Sequence, residues 1–168
     1  MTNKKSNTAL RLGGDPHISR GQGDALFKMG IKQMNNDSVD IYLYGEVQPA
    51  WNDWWTGETH EEMSSDYFKR VLVDENPNAK EINLFINSPG GDVFEGTAMA
   101  NILRRHPAKV TAVIDGFACS VASVIAMAAD EIYMPKNAML MIHNMWTWVA
   151  GNASDLRKVA DDLDKMME

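Results

Sequence analysis

The sequence predicts an α/β domain built on a mostly parallel sheet. Short apolar, β-rich runs at 39–44, 82–86 and 110–114 alternate with stretches of helical spacing at 93–105 and 120–127, and strands separated by helices require βαβ crossovers. Polar and glycine-rich residues gather where apolar runs stop: Asn87-Ser88-Pro89-Gly90-Gly91, then Asp115-Gly116-Phe117-Ala118-Cys119-Ser120, then His143 after Met139-Leu140-Met141-Ile142. In an open α/β sheet the carboxyl ends of the strands are where sites assemble. The length, 168 residues with 45% hydrophobic and 23% charged, suits one domain with one sizeable core.

The elements follow in order. Residues 1–38 are rich in Asn, Gly, Lys and Asp without a sustained period, which predicts a flexible N-terminal arm and an ordered domain over 39–168. Val39 to Tyr44 alternates as a strand and is closed by Gly45; Trp51 to Gly57 reads as a Trp-rich loop. Ser64-Ser65-Asp66 caps a helix to about Asp74, which Asn76-Pro77-Asn78 breaks. A strand at Ile82–Ile86, a helix at Val93–Arg105, a strand at Val110–Ile114 and a helix at Ser120–Met127 come next. Short strands near Ile132–Met134 and Met139–Ile142 precede a last helix that begins near Ala153 and is still running at Glu168. With no C-cap signal there, the chain is expected to be truncated within that helix.

Composition narrows the function classes. A formal charge of -7 with 16 Lys and Arg disfavours a phosphate-binding surface, so nucleic acid is not an expected partner. The single cysteine rules out an intrachain disulfide framework, and the polar start Met1-Thr2-Asn3-Lys4-Lys5-Ser6 lacks the apolar core of a signal peptide, so a cytoplasmic protein is expected. The longest apolar stretch, Ala112 to Ala129, is broken by Asp115 and Gly116 and switches from strand to helical spacing. It reads as core, with no membrane span. No His-Glu-x-x-His, Cys-x-x-Cys pair, phosphate loop or EF-hand loop is present, so no metal and no cofactor is indicated.

The residues at the strand ends point to a serine hydrolase. Ser120 at a helix start is the candidate nucleophile, since an anionic intermediate is favoured near the positive end of a helix. The plain alternative is that it only caps that helix. Gly91 lacks a Cβ, so its N–H can approach a tetrahedral intermediate, and the Val121 amide supplies the second oxyanion donor. His143 is the candidate base, taking the Ser120 proton and returning it to the leaving amine. His17 lies in the arm, His60 beside Glu61 and Glu62, and His106 at a helix end before Pro107, positions that suit structural or solvent-facing roles.

Asn87-Ser88-Pro89-Gly90-Gly91, Gly116-Phe117-Ala118-Cys119-Ser120 and Met141-Ile142-His143 together resemble the proteolytic subunit of the Clp protease family. Gly45, Val93-Phe94-Glu95-Gly96, Ser120 to Asp130 and Gly151-Asn152-Ala153 are most similar to the Clp-like prohead proteases of tailed phages and prophages. The resemblance covers roughly 39–168. It implies the Clp protease/crotonase-like ββα superhelix, a serine endopeptidase cutting scaffold and capsid precursors or unfolded polypeptides, and a homo-oligomeric ring, a heptamer in the family, served by a separate ATP-dependent unfoldase. It assigns Ser123 to helix packing and places Trp146 and Trp148 in the substrate groove, with intersubunit packing as the equal alternative. The family's orienting Asp comes from beyond the position of Glu168, and the Asp residues of the last helix suit a solvated face better. Slow peptide hydrolysis by the chain as given is therefore expected. Two other functions stay open: a catalytically silent ring-forming subunit, and a crotonase-type acyl-CoA enzyme, which the Ser120 and His143 pair disfavours.

Overall fold

A computed structural model describes residues 30–35 and 37–167. The strands are β1 (Gly30–Asn35), β2 (Ser38–Val47), the short β3 (Trp51–Asn52) and β4 (Thr59–His60), β5 (Glu81–Gly91), β6 (Lys109–Cys119), β7 (Glu131–Tyr133) and β8 (Met139–Met141). The helices are α1 (Ser65–Lys69), which continues as a π-helical turn over Arg70–Glu75, α2 (Val93–Arg105), α3 (Val121–Ala126) and α4 (Ala153–Met166). The sheet runs β1-β2-β5-β6-β7, with β8 also on β6. Every pairing among β2, β5, β6, β7 and β8 is parallel, and within this sheet only β1 on β2 is antiparallel. The mostly parallel α/β fold expected from the sequence is the fold observed.

Alternation along the three central strands selects one face for the core. Ile41 and Leu43, Ile82, Leu84 and Ile86, and Val110, Ala112 and Ile114 are all buried. Phe68, Leu72, Met99, Leu103, Ala122 and Ile125 of the helical layer close over them in one cluster. Each of the Val, Ile, Leu, Met and Phe side chains among them contributes about 1.5–3 kcal/mol by leaving water. The helices start where capping chemistry is available. Ser64 accepts from the Tyr67 amide and Asp92 from the Glu95 amide, while Asn152 and Asp155 form a reciprocal capping box on α4. Glu95 also ties α2 to α1, accepting the Ser65 amide at 2.6 Å.

Three features differ from the sequence expectation. Gly30–Asn35, inside the expected arm, form a strand because β2 offers a free edge that they extend in register Gly30↔Tyr42 to Asn35↔Ser38; residues 1–29 and 36 lie outside the described residues. The Trp-rich segment is a hairpin, β3 on β4, in place of an irregular loop. Strands β5 and β6 run past their apolar runs, because the polar residues after Ile86 and Ile114 keep pairing: Val47↔Gly91, Ser88↔Ala118 and Cys119↔Met141. Register shifts at Ile86/Ser88 and Tyr44/Glu46 let the ladder bend there.

Candidate active site

The strand extensions converge on one corner, at the carboxyl ends of β2, β5, β6 and β8. Ser120 is the residue between β6 and α3, with φ 53° and ψ -130°. It is the one described non-glycine residue with positive φ. An L-residue in such a conformation costs roughly 1–3 kcal/mol, which the surrounding structure must offset. What holds it is visible on both sides: its amide donates to the Met141 carbonyl at 2.8 Å, and its carbonyl accepts from the Ser123 amide at 3.0 Å and the Ser123 hydroxyl at 2.6 Å. Ser123 is thereby a buried packing residue engaged with the backbone. The Ser120 hydroxyl makes no capping bond to α3, so it is left for another task.

The turn after β5 packs directly on this serine. A Cβ at Gly90, where φ is 92°, would lie 2.5 Å from the Cys119 carbonyl oxygen, 2.7 Å from Ser120 Cβ and 3.1 Å from the Val121 amide nitrogen. Gly90 is therefore the residue whose missing side chain admits Ser120. At Gly91 a Cβ would instead strike the Val47 backbone, so glycine there serves the approach of β2. The amides divide similarly. Gly90 donates to Ser88 Oγ at 3.1 Å, and Asp92 donates to the Val47 carbonyl at 2.8 Å.

Ser88 is the residue whose role the sequence reading did not bring out. It is fully buried, and its hydroxyl donates to the Gly45 carbonyl at 2.6 Å while accepting the Gly90 amide. A small donor-acceptor side chain between two glycine turns was the available signal. A second overlooked link is Tyr44, whose hydroxyl donates to Asp115 Oδ2 at 2.6 Å and joins β2 to β6 across β5. Burial, and then the Asp115 hydrogen bond, push the Tyr44 phenol up to about 12. Burial also pushes the Cys119 thiol up, so the group next to Ser120 stays a thiol and does not compete as a nucleophile.

His143 lies two residues beyond Met141, whose carbonyl holds the Ser120 amide. Parallel pairing of β6 with β8 thus brings Ser120 and His143 to the same edge on neighbouring strands. Its Nδ1 sits 2.6 Å from the Asn144 carbonyl oxygen. A carbonyl only accepts, so Nδ1 is the donor in this contact, which in the neutral ring leaves Nε2 the lone pair that a base needs. No hydrogen bond joins the ring to Ser120 among the described residues, and residues 142–152 form an irregular, largely exposed segment. Trp146 and Trp148 are exposed on it. The other described histidines are occupied: His60 stacks on Trp51, and His106 accepts the Ala108 amide and lies 3.3 Å from the Asn76 carbonyl. His17 lies outside the described residues. On α4, Asp155 is engaged in the helix cap and Asp162 lies 3.8 Å from Lys165. Among the described residues no group of His, Cys, Asp and Glu side chains has the geometry to hold a metal ion.

The Clp protease family model matches residues 54–168, more than half of the chain and all of this corner except the β2 residues. The chain belongs to the Clp protease family. It is 34% identical over 101 residues to the ATP-dependent Clp protease proteolytic subunit of Deinococcus radiodurans, a match covering 58% of this chain and 49% of that relative. The chain thus spans about half the length of this curated relative. For a Clp protease family chain, the β5 turn, the β6–α3 junction and the end of β8 all fall inside the matched region, whereas Tyr44, Gly45 and Val47 lie before it. Among the described residues no helix is long and apolar enough to cross a membrane.

Proposed function

We propose that the chain carries the nucleophile, base and oxyanion donors of a serine endopeptidase of the Clp type. The observation that carries this reading is Ser120 itself: a strained residue at a strand-to-helix junction, its hydroxyl unused as a cap, against Gly90 and one strand from His143. In the reaction, His143 Nε2 takes the Ser120 hydroxyl proton as Oγ attacks the scissile carbonyl carbon. The Gly91 and Val121 amides receive the oxyanion, and the imidazolium returns its proton to the leaving amine as the C–N bond breaks. Water, deprotonated by the same ring, then releases the acyl group. The Asn144 carbonyl supports this role by fixing the Nδ1–H tautomer. Trp146 and Trp148 flank the path of an extended peptide.

The substrates proposed are scaffold or capsid precursors, on the likeness of Val93-Phe94-Glu95-Gly96 and Ser120 to Asp130 to phage prohead proteases, or unfolded polypeptides in the host cytoplasm delivered by a separate ATPase. The working form is a homo-oligomeric ring, a heptamer by family likeness. Helix α4 supports self-association: Leu156, Val159, Leu163 and Met166 recur at helical spacing, yet none of its residues is buried, a stripe suited to a copy of the same chain. A catalytically silent ring subunit is the second reading, favoured by the absence of a bond between Ser120 and His143. Fluorophosphonate treatment followed by peptide mass mapping decides between them. The adduct is expected on Ser120 and absent in Ser120→Ala; an unreactive chain, or an adduct on Ser123, overturns the peptidase assignment.

A further inference from the structure

The hairpin β3–β4 leaves the sheet at the active-site corner. Val47, which pairs with Gly91, is followed by Gln48, whose amide donates to the Met63 carbonyl at 3.2 Å, so both stems of the hairpin are anchored beside the oxyanion turn. Its base is stiffened by the Trp51 ring stacked on His60 at 4.4 Å and by Thr59 Oγ1 donating to Asn52 Oδ1 at 2.8 Å. Its tip is built on Asp53. That carboxylate accepts the Trp55 amide at 2.7 Å and the Thr56 amide at 3.2 Å, while the Asp53 backbone bonds Glu58 and Gly57.

This construction presents two indoles that the fold does not use. Trp54 and Trp55 are 86% and 78% exposed, edge to face with centroids 5.3 Å apart. Holding two large apolar rings in water is unfavourable by their unburied area, and a tip locked this firmly keeps them from folding back. The surroundings are acidic: between residues 51 and 62 stand Asp53, Glu58, Glu61 and Glu62, with no Lys or Arg. Glu61 is paired with Arg70, whereas the Asp53 carboxylate is held ionised by the Trp55 amide and then the Thr56 amide, which lower its pKa. Indole faces beside carboxylates attract a cation. The same tip on a second copy is a poor match, since it carries the same Asp53 and Glu58.

We propose that the hairpin tip is a specificity element of the peptidase, in which Trp54 and Trp55, flanked by Asp53 and Glu58, receive a lysine or arginine side chain of the polypeptide substrate. The inference rests on the peptidase reading for the word substrate, and its test reads binding alone. A fluorescein-labelled decapeptide of Gly, Ser and Leu with one Lys, and its twin with Met at that place, are titrated with the full chain carrying Ser120→Ala, which prevents turnover. The Lys peptide is expected to bind about 5-fold tighter, and the preference to shrink as salt is raised. Trp54→Ala with Trp55→Ala removes the preference, Trp54→Phe with Trp55→Phe keeps part of it, and Glu58→Gln reduces it. Equal binding of the two peptides, or an undiminished preference in the double alanine variant with an unchanged circular dichroism spectrum, overturns the proposal. So does a fall in oligomeric mass of that variant by light scattering, which makes the tip a contact between copies. A Lys preference in a chain whose Ser120 does not react with fluorophosphonate leaves the hairpin assignment standing and removes the peptidase reading.

Discussion

At the end of β6, Ser120 stands between a buried strand and a helix whose Val121, Ala122, Ser123 and Ile125 are buried. At the end of β8, His143 follows Ile142, which is 66% exposed, and precedes Trp146 and Trp148, 70% and 87% exposed. The serine corner is fixed from three sides by backbone bonds and by the absent side chain of Gly90. The histidine segment is fastened by the Ser120–Met141 bond at its start, by the ring's contact with its own neighbour, and by the Met145 amide donating to Met167 Sδ at 3.3 Å. The core of the fold alone builds the Ser120 corner and the turn against it, while His143, the proposed base, rides on a part of the chain with little packing to hold it. Segments of that kind open at low free-energy cost.

The largest effect that tests this contrast comes from His143→Ala. Turnover of a fluorogenic peptide is expected to fall by about 10⁴-fold or more, with no change in thermal midpoint, because the ring contributes nothing to the core. A substantial drop in midpoint breaks the comparison by showing that the segment is packed after all. Gly90→Ala probes the opposite side. A Cβ there meets the Cys119 carbonyl and Ser120 Cβ below contact distance, and the positive φ adds roughly 1–3 kcal/mol. Both denaturant stability and the fluorophosphonate rate should fall together.

Ser88→Ala is expected to cost about 1–2 kcal/mol of unfolding free energy, since it orphans the buried Gly45 carbonyl and the Gly90 amide. An unchanged denaturation midpoint would mean that the turn does not depend on this lock. The smallest effect is a pH dependence. With its folded pKa pushed up to about 12 from an ordinary 10.0, Tyr44 retains its proton in the folded state where the unfolded state loses it. Its stabilisation is therefore complete below pH 10 and is lost as pH rises from about 10 to 12. Urea midpoints measured across that window should decline, and Tyr44→Phe should flatten the decline.

The sequence was a good guide where a single local rule applied. Alternation located β2, β5 and β6; helical spacing put the starts of α2 and α4 at Val93 and near Ala153, where Asp92 and Asn152 cap them in the structure. Helix α1 began at its Ser64 cap but relaxed into a π turn that the sequence pattern does not distinguish from an α one. Ser120 was found as the residue at the β6–α3 junction, yet its positive φ was not legible: nothing in Ala118-Cys119-Ser120-Val121 asks for a left-handed residue, and the conformation exists because Met141 and Ser123 hold the peptide groups on either side. The assignment of roles in the glycine pair was also beyond local reading. Gly90 faces the serine and Gly91 faces Val47, a division made by strands far apart in the chain.

The sequence by itself determined the α/β class, the order of strands and helices, and the residue types that meet at the carboxyl edge of the sheet, because periodicity, capping and turn chemistry are properties of a few neighbouring residues. Only the tertiary structure decided that β5 and β6 continue past their apolar runs and that Ser88 locks the turn to Gly45. It also decided that the Trp-rich segment is a hairpin with two indoles in solvent, and that Ser120 lies against Gly90. Apart from the hairpin, each of these depends on a partner far along the chain, Gly45 for Ser88 and Ser120 for Gly90 among them, and such pairings are set by the register of the sheet, which no local pattern specifies.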